Sequence, residues 1–189
     1  MISFRVVIEP FTYFFWAFLL LILPLPWFVA FLTAALLHEM FHIAALMLMK
    51  KQVQQIRIGL DGIRMDVSGL SDGQELFCAL AGPCAGFLLL GVRKWYPELS
   101  VVAVVQSLYN LIPIYPLDGG RVVRCGVTLL GFHNVDRLCN GIEAITYVLI
   151  FAFCTVLKLK TMALLIGGML VGKVVFGKIP CKRRHLGVQ

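Results

Sequence analysis

The stretch Ala34-Ala35-Leu36-Leu37-His38-Glu39-Met40-Phe41-His42-Ile43-Ala44-Ala45-Leu46 decides how this chain is read. It places an HExxH pattern inside an unbroken apolar run. On a helix, positions i and i+4 share a face, so both imidazoles can ligate one ion with the glutamate one step away as a base. As a bare five-residue pattern this is a weak signal, and an isolated histidine is more often a packing residue. The surroundings reverse that weighting. No charge lies between Phe11 and Leu37, and apolar character continues to Met49. An ionisable side chain at the centre of a membrane span costs about 2.5 kcal/mol or more, so position alone makes Glu39 a functional candidate.

Composition agrees with a membrane setting. Of 189 residues, 60% are hydrophobic and 14% charged, with mean hydropathy +0.89. Soluble domains carry roughly 45–50% apolar and about 25% charged residues, so a soluble enzyme and a disordered linker are both excluded. The length fits one domain over residues 1–189. Six cysteines without a CxxC pair read as free thiols filling packed helices. No cleavable signal peptide is read at the start.

A bilayer core of about 30 Å needs about 20 apolar residues as helix. Pro24 and Pro26 divide the first apolar run into a short span near Phe11–Leu23 and a second at Trp27–Met49. Leu76–Val92 and Leu99–Leu117 make spans three and four, and Ile142–Leu157 and Thr161–Phe176 make spans five and six. The expectation is an all-α polytopic membrane protein with about six transmembrane helices. With six spans, only Arg93, Lys94, Lys158 and Lys160 of the 17 Lys and Arg residues fall on one side. The positive-inside rule makes the richer side cytoplasmic and puts both termini there. The net charge of +7 therefore reports topology, and no nucleic-acid partner is expected. The tail Lys182-Arg183-Arg184 is suited to touching anionic lipid.

Between spans two and three, at about residues 52–70, apolar residues alternate with polar ones. Ile56, Ile58 and Leu60 precede Asp61-Gly62, and Ile63, Met65 and Val67 follow it. Period-two alternation around Asp-Gly reads as a β-hairpin with a type I′ turn. Ser71, Asp72 and Glu75 then supply helix-start chemistry. An extended substrate could pair along the edge of this hairpin by β-addition, with Ile58 as the residue to test.

Two histidines do not complete a catalytic zinc site, which usually takes three protein ligands and leaves a fourth position to water. The third is sought at the end of span four, in Asn110-Leu111-Ile112-Pro113-Ile114-Tyr115-Pro116-Leu117-Asp118-Gly119-Gly120-Arg121. Pro113 and Pro116 loosen the helix, and Gly119-Gly120 lets the backbone turn closely around Asp118. Taken alone, Asp-Gly is an ordinary turn pair; its company with a buried HExxH favours a ligand. Arg121 reads as a snorkelling interface residue.

The HExxH helix, the NxxPxxPLDGG segment and the intervening Ala81-Gly82-Pro83-Cys84-Ala85-Gly86 resemble the site-2 protease family of intramembrane zinc metalloproteases. Spacing and span layout are most similar to the bacterial group that contains stage IV sporulation protein FB. The resemblance implies one zinc per chain held by His38, His42 and Asp118, with Glu39 as catalytic base and Asn110 helping to polarise the scissile carbonyl. It implies regulated intramembrane proteolysis of membrane-tethered proproteins, a sporulation sigma-factor precursor among them, in a bacterial cell membrane. It leaves room for a membrane-protein inhibitor or regulator. The sequence departs from the family pattern in the Ala81–Gly86 stretch, near whose end many relatives carry a polar residue, and shows neither a PDZ nor a CBS domain. A metal transporter would favour several sites along a pathway, whereas this chain has one constellation with an obvious base.

Overall fold

Prolines set the first long helix. In the computed structural model, which describes residues 5–8, 17–51, 53–59, 62–67 and 69–159, α1 runs over Leu25–Leu48 with proline in its first turn, where a missing N–H costs no hydrogen bond. Residues 17–22 before it are also helical. The rest of the first expected span, the sixth span at Thr161–Phe176 and the basic tail lie outside the described residues.

Beyond α1 the chain forms β2 (Val53–Gly59) and β3 (Gly62–Val67), paired antiparallel, with β1 (Arg5–Ile8) parallel to β2 on its other side. The sheet order is β1-β2-β3. Gly59 pairs with Gly62, and residues 60 and 61, on which the expected turn falls in part, lie outside the described residues. Ile58 belongs to the middle strand, with Ile8 as its partner on one side and Ile63 on the other. Among the described residues the outer edges of the sheet are those of β1 and β3, so an added strand would lie there and not along Ile58. The Lys51 ammonium donates to the Gly69 carbonyl and ties the two ends of this insert together.

Helix α2 (Asp72–Leu88) opens with a capping box in which Ser71 Oγ accepts from Gln74 N at 3.3 Å and Gln74 Oε1 accepts from Ser71 N at 3.1 Å. The reciprocal partner is Gln74, which leaves Glu75 for another task. A 3₁₀ turn at Leu89–Val92 follows, then α3 (Pro97–Asn110), α4 (Asp118–Leu129) and α5 (Val135–Val156). The fourth expected span thus stops at Asn110, seven residues short, because Pro113 and Pro116 cannot donate to a helical ladder. The chain then re-enters a helix at Asp118. The fifth begins earlier than expected, at Val135.

Among the described residues, three helices are long and apolar enough to cross a membrane: Leu25–Leu48, Asp72–Val92 and Val135–Val156. Their packing is that of a membrane bundle, with small residues inside and large apolar ones outside. Helix α1 buries Ala30, Ala34, His38 and His42 at every fourth position, then Ala45 and Leu46. Helix α2 buries Cys78, Ala79, Gly82, Pro83, Ala85 and Gly86, and α3 buries Ser100, Ala103 and Ser107. Leu36, Met40, Met47 and Leu48 point outward from α1, Leu48 being 76% exposed. In water such a surface would aggregate; in a bilayer it faces lipid. Helix α2 is the hub, packed against α1, α3 and α4. Helix α5 leans on α4, and only 6% of its apolar stretch is buried, against 33% in α1.

Candidate metal centre

One face of α1 carries His38 and His42 inward, because four residues are close to one helical turn and the same face continues the Ala30 and Ala34 row. Their rings stand edge to face, with centroids 4.8 Å apart. Both are 5% exposed.

Asp118 arrives from the other side of α2, at the first turn of α4. Its position depends on how tightly residues 111–117 fold back over the end of α3. The amide of Ile114 donates to Ile112 O at 2.7 Å and that of Leu117 to Ile114 O at 2.9 Å. Gly119 lies under this turn. A Cβ there would stand 2.5 Å from Ile112 O and nearer still to the Leu111 carbonyl, so only glycine fits. Asp118 is 8% exposed.

The three side chains meet. His38 Nε2 and His42 Nε2 each lie 3.1 Å from Asp118 Oδ2, and the two nitrogens are 3.2 Å apart. Tetrahedral ligands on bonds of about 2.0–2.1 Å stand about 3.3–3.4 Å from one another, close to this triangle. Hydrogen bonding points the same way. His42 Nδ1 donates to the Cys78 carbonyl at 2.8 Å, which fixes the ring and leaves a lone pair on Nε2. That lone pair faces an aspartate oxygen, itself an acceptor. Such acceptors crowded together in a buried site call for a cation between them, and His38, His42 and Asp118 form a group that could hold a metal ion.

Glu39 sits beside this group on the same helix, with Oε2 buried and without a hydrogen-bond partner. A carboxylate oxygen left so has a free lone pair for a proton delivered inside the site. Asn110 ends α3 half-buried, at the start of the turn that leads to Asp118. Among the described residues Cys78, Cys84, Cys125, Cys139 and Cys154 are free thiols. Burial pushes the Cys125 thiol up to about 12, far from a ligating thiolate.

Two residues acquire roles that one-dimensional reading missed. Gly82 of α2 lies directly against the two imidazoles: a Cβ there would be 2.7 Å from His38 Nε2 and nearer still to His42 Nε2. The glycine is thus a wall of the site, more than a source of helix kinking. Arg121 is no snorkelling bystander. Its Nη1 lies 3.4 Å from Asp118 Oδ1 and its Nε 3.4 Å from Glu75 Oε1. The only signals available in the sequence were a glycine between the two buried motifs and a cation three residues after the candidate ligand.

Neither a protein-family model nor a curated protein matches the sequence. Among solved structures the chain is similar to the site-2 protease from Methanocaldococcus jannaschii, with a TM-score of 0.62 and 17% identity over 95% of this chain and 93% of that one. An α1 that carries two histidines, an α2 that crosses beside it and an α4 that returns an aspartate are thus arranged in the fold of a site-2 protease.

Proposed function

We propose that this chain is an intramembrane zinc metalloendopeptidase that hydrolyses peptide bonds in or near the membrane segment of tethered proproteins. One observation carries the reading: three ligand atoms within 3.2 Å of one another converge in a buried site beside a glutamate with an unpartnered oxygen. The similarity to a site-2 protease supports it.

Zinc bound by His38, His42 and Asp118 would lower the pKa of water toward about 7 and polarise a carbonyl. The protein's own groups do the rest. Glu39 takes the proton from the attacking water and returns it to the leaving amine. His42 is held in register by the Cys78 carbonyl. Asn110, at the end of α3, is the group proposed to polarise the substrate carbonyl. A helical substrate has no free amides, so its segment must unwind before it reaches Glu39.

The finer reading places six spans in a bacterial membrane, with both termini and the site toward the cytoplasm. The cut then falls near the cytoplasmic end of the substrate's span. A sigma-factor precursor in sporulation is one substrate of this kind.

The test is co-expression with a panel of tethered proproteins. Native chain should yield a shorter product, and Glu39→Gln should reduce it about 10²–10⁴-fold while keeping its zinc. A product that persists at native level in Glu39→Gln, or a purified native chain that holds no zinc, overturns the proposal.

A further inference from the structure

A carboxylate has two oxygens, and a metal site must decide whether one or both ligate. In this protein the two oxygens of Asp118 face different partners. Oδ2 lies 3.1 Å from both imidazole nitrogens, while Oδ1 lies 3.4 Å from Arg121 Nη1. The same guanidinium reaches Glu75 Oε1 through Nε at 3.4 Å. Glu75 stands in the first turn of α2 and Arg121 in the first turn of α4, so the guanidinium links the two helices that pack around the site. Arg121 can do this because its fork offers separate N–H groups to two carboxylates at once, which a lysine ammonium on a flexible stem does poorly.

We infer that Glu75 and Arg121 are a positioning pair that engages Asp118 Oδ1 and thereby restricts the metal to Oδ2, keeping the fourth coordination position open for water. The inference rests on the metal-centre reading above and deepens it. Neither residue touches the reacting atoms; both act through Asp118. The guanidinium also anchors a carboxylate at the very start of α4, where the chain arrives from the turn of residues 111–117. Glu75 in turn aims the guanidinium, because an arginine with one carboxylate partner could swing away from Asp118 toward solvent. Partners that orient metal ligands in this way are commonly worth about 10–100-fold in metal affinity.

The experiment uses the purified full chain in detergent, with zinc affinity measured by competition against a chromophoric chelator and coordination read from the visible spectrum of the Co²⁺-loaded protein. Arg121→Met should weaken zinc about 10–100-fold and lower the Co²⁺ absorption, because a freed Oδ1 lets the aspartate bind through both oxygens and raises the coordination number. Arg121→Lys should recover part of the affinity but not the native spectrum. Glu75→Gln keeps the shape of the side chain, so it serves as the probe should Arg121→Met fail to fold, and should shift affinity in the same direction by a smaller factor. Native affinity and native Co²⁺ spectrum in Arg121→Met, or in Glu75→Gln when the first does not fold, overturn the inference. Failure of the native chain itself to bind zinc would instead strike the proposed function, so the two failures are distinguishable.

Discussion

Helix α1 and the segment from Asn110 to Asp118 bring the candidate ligands to one point by opposite means. In α1 the delivery is local: the helical repeat alone puts His38 and His42 on one face, and any straight helix with that spacing would do so. The Asn110–Asp118 segment has no repeat to rely on. It leaves a helix, turns on Ile112, Ile114 and Leu117, and re-enters another, and the aspartate arrives in place only because Gly119 lets α4 start against the Leu111 and Ile112 carbonyls. A regular element supplies ligands cheaply but cannot aim them at a distant partner. An irregular one can aim, and needs the surrounding helices to hold it.

The comparison can be broken most directly on the regular side. His42→Ala should remove the i+4 ligand and leave the chain with negligible zinc after dialysis, read by metal analysis of the purified protein; zinc retained at one per chain would mean that α1 does not hold the ion. Gly82→Ala comes next. It leaves all three ligands in place and adds one methyl within 2.7 Å of His38 Nε2, so zinc binding should fall strongly while the helices still form. Competition with a chelator checks it, and native affinity would show that the imidazoles can move aside. On the irregular side, Gly119→Ala should destabilise the fold by about 1–3 kcal/mol through overpacking against backbone that cannot retreat, as measured by denaturant unfolding in detergent. An unchanged midpoint would mean that the turn is looser than its geometry. The smallest effect belongs to α5, where Gly141 has nothing within 4 Å of a placed Cβ. Gly141→Ala should be neutral or stabilising by up to about 1 kcal/mol in the same assay, which sharpens the contrast between glycines that fit a site and glycines that merely occupy a helix.

Legibility in the sequence followed the range of the forces involved. The helix of Leu25–Leu48 was readable to within two residues at its start and one at its end, since apolar length and two prolines are local signals. The start of α2 at Ser71 was readable for the same reason. Helix α4 was not: Asp118 was sought at the loosened end of span four and Arg121 read as an interface residue, whereas Asp118–Leu129 is a helix packed against α2 and α5. Strand β1 was missed because its parallel partner β2 lies a whole helix further along the chain, and nothing within Arg5–Ile8 declares that pairing.

By itself, then, the sequence determined the membrane setting, the inward pair His38 and His42, the mid-span position of Glu39 and the suspicion attached to Asp118, all of which depend on hydropathy, helical spacing or motif. Only the tertiary structure decided that Asp118 Oδ2 meets both imidazoles, that Gly82 walls the site and that Arg121 joins Glu75 to the aspartate. Those contacts span dozens of residues of chain. They exist because α2, lined with small side chains, lets α1 and α4 approach it closely enough for a missing Cβ and a guanidinium fork to matter.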